Sequence, residues 1–163
     1  MYPIVSMLIT YDSTRALTVT KKDDRTYFIK MYDLEEYHLM FEECIGGSKI
    51  SYIKFKEVEQ NGNGSEFAAL YNDDGKWIMR TFGKETRTQE DIIENEININ
   101  SIIGIDNSTM CNEMFPEPFG TCCFVGQDRI FVDVFYNLTQ THYHMIIDIR
   151  SRKVVGEVNS NVI

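Results

Sequence analysis

Thr26-Tyr-Phe-Ile-Lys-Met-Tyr-Asp-Leu34 and Thr141-His-Tyr-His-Met-Ile-Ile-Asp-Ile149 are the stretches on which the fold turns. Each opens on Thr, runs through β-branched and aromatic residues, and reaches an Asp at the same step, Asp33 and Asp148. Such residues pack well on a pleated surface, so both stretches predict a β-strand. Their likeness predicts one strand used at least twice in a repeated unit.

The flanks of the first stretch extend this reading. Ile4 to Thr10, Ala16 to Thr20, Thr26 to Leu34 and His38 to Ile45 are short apolar runs. Turn-forming or charged residues separate them: Tyr11 to Arg15, Lys21 to Arg25 and Glu35 to Tyr37, with Gly46-Gly47 closing the unit. Strands at roughly ten-residue spacing predict an antiparallel meander rather than strand–helix alternation. The third unit has the same layout: Gly120 to Val125, Ile130 to Tyr136, Thr141 to Ile149 and Val154 to Val158.

Between them lies a second unit with strands at Ile50 to Val58, Phe67 to Tyr71 and Lys76 to Phe82. Asn61-Gly62-Asn63-Gly64 is the strongest turn signal, and Asp74-Gly75 predicts a hairpin. The rhythm then breaks. Lys84 to Pro118 holds eight acids against two bases and is expected to be an acidic insertion. Within it, Thr88-Gln-Glu-Asp91 predicts a helix cap with Asp91 in the capping-box position. Alternating Ile97 and Ile99 predict a strand near Glu96 to Ile103, and Asn107 to Pro118 predicts a loop.

The sequence therefore predicts one all-β domain over residues 1–163, of three four-stranded antiparallel units near 1–47, 48–106 and 119–163. With Tyr32-Asp33 and Ile147-Asp148 closing third strands, the layout resembles a WD-repeat β-propeller. In that family an aromatic or apolar residue followed by Asp ends the third strand of each blade; Thr81-Phe82 falls there in the second unit. The resemblance implies a partial propeller of three blades. Side chains support it. Tyr143, Met145, Ile147 and Ile149 form an apolar face, matched by Phe28, Lys30, Tyr32 and Leu34, and by Trp77, Met79 and Thr81. Tyr27, Ile29 and Met31 make the opposite face apolar too, as expected of a strand in a sheet covered on both sides. Three blades leave terminal faces uncovered, since propellers have ~4–8. The stack is expected to be completed by more chain, by self-association or by another protein.

The resemblance and the charge together predict a non-enzymatic interaction or scaffold module. The net charge is −9, which disfavours nucleic acid and favours a basic protein partner. Asp23, Asp24 and Arg25, and Asp73 and Asp74, occupy matching turns between second and third strands, which lie on one rim of a propeller. Those residues and Glu90, Asp91 and Glu94 of the acidic segment are the candidate partner-binding set. The rival expectation is a closed up-and-down barrel holding a small apolar ligand.

No catalytic or cofactor-binding set is assigned: the sequence has no phosphate-binding Gly loop and places no Ser, His and Asp together. His142 and His144 alternate on one strand and could share a metal. Only one of Cys122 and Cys123 can point their way, and no third ligand is evident, so no metal site is assigned. The cysteines are expected to be free buried thiols in a reducing compartment. No apolar run is long enough to span a membrane and no secretory leader is recognisable, so the cytosol is the expected location. Sequons at Asn63, Asn107 and Asn137 are expected to be chance.

Overall fold

A computed structural model describes residues 1–46, 53–60, 66–73, 76–83, 87–88, 90–91, 95–104, 120–136 and 140–160. The strands are β1 Ile4–Ile9, β2 Arg15–Asp23, β3 Thr26–Asp33, β4 His38–Gly46, β5 Ile53–Gln60, β6 Phe67–Asp73, β7 Lys76–Phe82, β8 Glu96–Asn98, β9 Gly120–Phe124, β10 Arg129–Tyr136, β11 Thr141–Asp148 and β12 Lys153–Ser160. They form three separate antiparallel meanders, β1 to β4, β5 to β8 and β9 to β12. Separate meanders exclude the single ring of strands that a barrel requires.

The repeat is visible atom by atom. Asp33 Oδ1 accepts from the backbone N–H groups of Glu35 and Glu36, each at 2.8 Å. Asp148 Oδ1 accepts from the Ser151 N–H at 2.8 Å and its hydroxyl at 2.9 Å. Each turn then needs a left-handed residue, Tyr37 at φ 55° and Arg152 at φ 56°. The Leu34 amide donates to the Thr14 carbonyl at 2.8 Å, and the Ile149 amide to that of Asp128 at 2.9 Å. Asp thus ends the third strand because its carboxylate satisfies amides that the ladder leaves unpaired.

The acidic segment departs from a plain loop. Thr88 and Asp91 form the predicted capping box: the Thr88 amide donates to Asp91 Oδ2 at 2.8 Å, and the Asp91 amide to Thr88 Oγ1 at 3.3 Å. Strand β8 ends at Asn98, and Ile99–Ile103 is a helix, where the sequence predicts strand throughout. Asn98 caps it by accepting from the Ser101 amide, and Gly104 closes it at φ 73°. Because β8 completes the second sheet, it divides the acidic segment. Asn107 to Pro118 and all three sequons lie outside the described residues.

Two cores hold the sheets together. Leu17, Val19, Ile29, Met31 and Phe41 of the first sheet meet Phe67, Tyr71, Ile78 and Phe82 of the second. Leu70, Trp77 and Met79 on the second sheet's other face meet Val132, Val134, Met145 and Ile147 of the third. The middle sheet is therefore covered on both sides, as its two-faced apolar strands predict. Trp77 is fully buried, and a side chain at Gly120 would come within 2.4 Å of its ring. First strands adjoin, β1 beside β5 and β5 beside β9, so the sheets fan out from a common inner edge.

This packing corrects the alignment of the second unit. The ladders pair Asp23 with Thr26 and Asp73 with Lys76, so Lys76 answers to Thr26. The partners of Phe28, Lys30 and Tyr32 are then Ile78, Arg80 and Phe82, not Trp77, Met79 and Thr81. The dipeptide position is Phe82-Gly83 rather than Thr81-Phe82. A one-residue slip exchanges the faces of a strand, and with both faces apolar, composition does not reveal it.

Candidate functional site

The first and third sheets each turn one face away from the core, and these faces carry the residues free to engage something else. On the first sheet, strand pairing puts Ile4, Met7 and Ile9 of β1 on the same face as Phe28, Lys30 and Tyr32 of β3 and Leu39, Glu42 and Cys44 of β4. Ile4 is 60% exposed and Met7 57%, high values for side chains in a sheet. Tyr2 stacks on Phe28 with ring centres 5.7 Å apart. Lys30 Nζ pairs with Glu42 at 2.7 Å. The Glu42 carboxylate holds the Lys30 ammonium above its ordinary range. The Thr18 and Thr20 hydroxyls on this face are buried without a hydrogen-bond partner among the described residues.

The equivalent pair in the second sheet is Arg80 with Glu96, whose guanidinium and carboxylate meet at 2.7 Å. Here the first sheet covers the pair, and its Glu43 reaches across to Arg80 at 2.5 Å. Burial alone would lower the Arg80 pKa, but Tyr71, Glu96 and Glu43 outweigh it and hold the charge more firmly than usual. The Arg80 guanidinium also lies 5.7 Å from the centre of the Tyr71 ring.

The third sheet's open face is different. Asp133 of β10 pairs across the ladder with His144 of β11, and Phe135 with His142. Asp133 Oδ1 lies 3.2 Å from His142 Nδ1 and 3.4 Å from His144 Nε2. One ligand atom from each of the three side chains falls within 4.8 Å of the others. Phe135 packs against the His142 ring at 4.6 Å and Phe131 against His144 at 6.1 Å, so aromatic neighbours fix both imidazoles. Cys123 shares this face and Cys122 faces the core, so one of the two thiols points the histidines' way. Asp133 was reachable from sequence only by counting the ladder back from the β10–β11 hairpin, because it stands nine residues from His142 and eleven from His144.

The sequence-derived partner residues fall at both ends of the sheets. Asp23, Asp24, Arg25 and Asp73 sit at turns between second and third strands. Asp23 Oδ1 accepts from the Arg25 amide at 2.9 Å, and Asp24 pairs with Lys21 at 2.6 Å. Glu90 and Asp91 belong to the connection between third and fourth strands, at the opposite end. Asp91 is committed to its capping box, whereas Glu90 is exposed. Asp74 and Glu94 lie outside the described residues. The expectation of buried thiols holds for Cys122 alone of the three described; Cys44 and Cys123 are exposed, and none of the three is in a disulfide. Cys44 and Cys123 each lie on the open face of a terminal sheet.

No family model matches the chain, and no curated protein is similar to it. Among solved structures it is similar to the periplasmic gluconolactonase of Pseudomonas aeruginosa, with a TM-score of 0.51 at 11% identity. The likeness covers 99% of this chain and 40% of that one. The fold is that of a partial β-propeller. The chain spans less than half the length of the propeller it matches, and among the described residues the first and third of its three blades each have one face that no other sheet covers. Among the described residues no helix is long and apolar enough to cross a membrane.

Proposed function

We propose that the chain is a non-enzymatic interaction module of WD-repeat type, whose first blade takes up a further β-sheet supplied by another polypeptide. The observation that carries this is the equivalence of Lys30–Glu42 with Arg80–Glu96. In the second blade that pair lies under a neighbouring sheet that adds an acid, Glu43. In the first blade the same pair lies among aliphatic and aromatic side chains, and no second sheet covers it among the described residues. The occupant that fits is a sheet with apolar residues around one acidic side chain.

Asp33 and Asp148, each closing a third strand, support the WD-type likeness. The net charge of −9 supports a partner with a basic rim, drawn in by the exposed acids Asp23, Asp24 and Glu90. The absence of a disulfide at Cys44, Cys122 and Cys123, among the described residues, supports a reducing, cytosolic setting. Light scattering is the test. Wild-type protein should self-associate or hold a partner, and Met7→Lys with Ile9→Lys should give a monomer. A cooperative wild-type monomer that captures nothing overturns the reading. Capture that does not weaken with salt removes the acids from it.

A further inference from the structure

We propose that Asp133, His142 and His144 form a binding site for one divalent transition-metal ion of the Zn(II) class, on the open face of the third blade. The donor set is two imidazole nitrogens and one carboxylate oxygen, which suits Zn(II) with its remaining position open to water or to a partner's side chain. The distances fit. Ligands about 2.0–2.1 Å from a tetrahedral ion lie roughly 3.3 Å from one another. Asp133 Oδ1 stands 3.2 Å from His142 Nδ1 and 3.4 Å from His144 Nε2. Those two edges of the coordination polyhedron are already at length. The third, between the histidine nitrogens, is no longer than 4.8 Å.

The site is built rather than incidental. All three ligands stand on adjacent strands of one ladder, whose backbone is fixed by hydrogen bonds on both sides. Strand positions hold ligands more tightly than loops do. Phe131 and Phe135 brace the imidazoles from the flanks. The His142, His144 and Asp133 side chains are 25%, 31% and 22% exposed, so the cluster is walled yet reachable by an ion. This site does not depend on what covers the first blade.

The experiment is a Zn(II) titration of the chelator-stripped full chain, in competition with a chromophoric chelator. Wild type should bind one ion. Asp133→Asn and His144→Gln, each nearly isosteric, should weaken binding at least about tenfold while the far-ultraviolet circular dichroism stays unchanged. Cys44→Ser with Cys123→Ser should bind as wild type does. Zn(II) should raise the melting temperature of wild type and leave that of His144→Gln where it was. No uptake by wild type, equal affinity in the Asp133 and His144 variants, or loss of binding in the cysteine variant overturns the proposal.

Discussion

Lys30 in the first blade and Arg80 in the second hold the same place in the repeat, and their surroundings differ. Both pair with a Glu across the ladder at 2.7 Å. Arg80 is roofed by a neighbouring sheet, faces a second carboxylate from it and lies among core side chains. Lys30 faces outward beside side chains that a covered blade would bury. The pair is a property of the repeat; what it contributes depends on whether a sheet lies over it. Covered, it fixes how two blades sit, because a charge left unpaired there is costly. Uncovered, it is a surface ion pair of small worth. The third blade's open face carries no such pair: Met145 takes the place of Lys30 on the buried side, and its outer surface is given to Asp133 and the two histidines.

The largest test of this contrast is Arg80→Met. It strands Glu43 and Glu96, whose side chains are 11% and 33% exposed, and should cost about 3–5 kcal/mol in urea denaturation. Lys30→Met, the same change on the open face, should cost less than about 1 kcal/mol. Equal costs would mean that the covering sheet contributes nothing. At the second core, Gly120→Ala drives a methyl into Trp77 and should cost about 1–3 kcal/mol. Trp77 is the sole tryptophan, so its emission should move to longer wavelength if the ring is displaced toward water, and an unchanged spectrum at unchanged stability would deny the close approach.

Smaller effects separate association from folding. Met7→Lys lies on the open face and should leave the isolated chain within about 0.5 kcal/mol of wild type while abolishing uptake of a partner sheet. A large loss of stability would show that this face is already buried. The acid limb is a finer probe still. The Glu36 and Glu35 amides hold the Asp33 carboxyl below its ordinary range, and the Ser151 amide and hydroxyl do the same for Asp148. A depressed carboxylate contributes stability above its unfolded value, near pH ~4, and loses it as pH falls through the lower folded value. Melting temperatures from pH 6 downward, to about pH 2, should therefore fall less steeply in an Asp33→Asn, Asp148→Asn double variant. Superimposable acid limbs would place the titration in other carboxylates.

The sequence by itself determined where the chain extends and where it turns. Third-strand Asp residues, Asp-rich turns and short β-branched runs act within a few residues, so each of the twelve described strands falls where pattern alone predicts one, the eighth ending sooner than expected. The shared Thr and Asp also exposed the repeat. The helix at Ile99–Ile103 was missed because alternation over so few residues serves either structure until a cap, here Asn98, decides. Only the tertiary structure decided which face of each strand is covered. In a two-faced apolar strand, period-two alternation marks no side as inner, and the second unit's one-residue slip was therefore invisible. It took the packed sheets to show Arg80 reaching Glu43, and the β10–β11 ladder to bring Asp133 between two histidines, because both contacts join residues whose nearness depends on strand pairing and sheet packing rather than on local sequence.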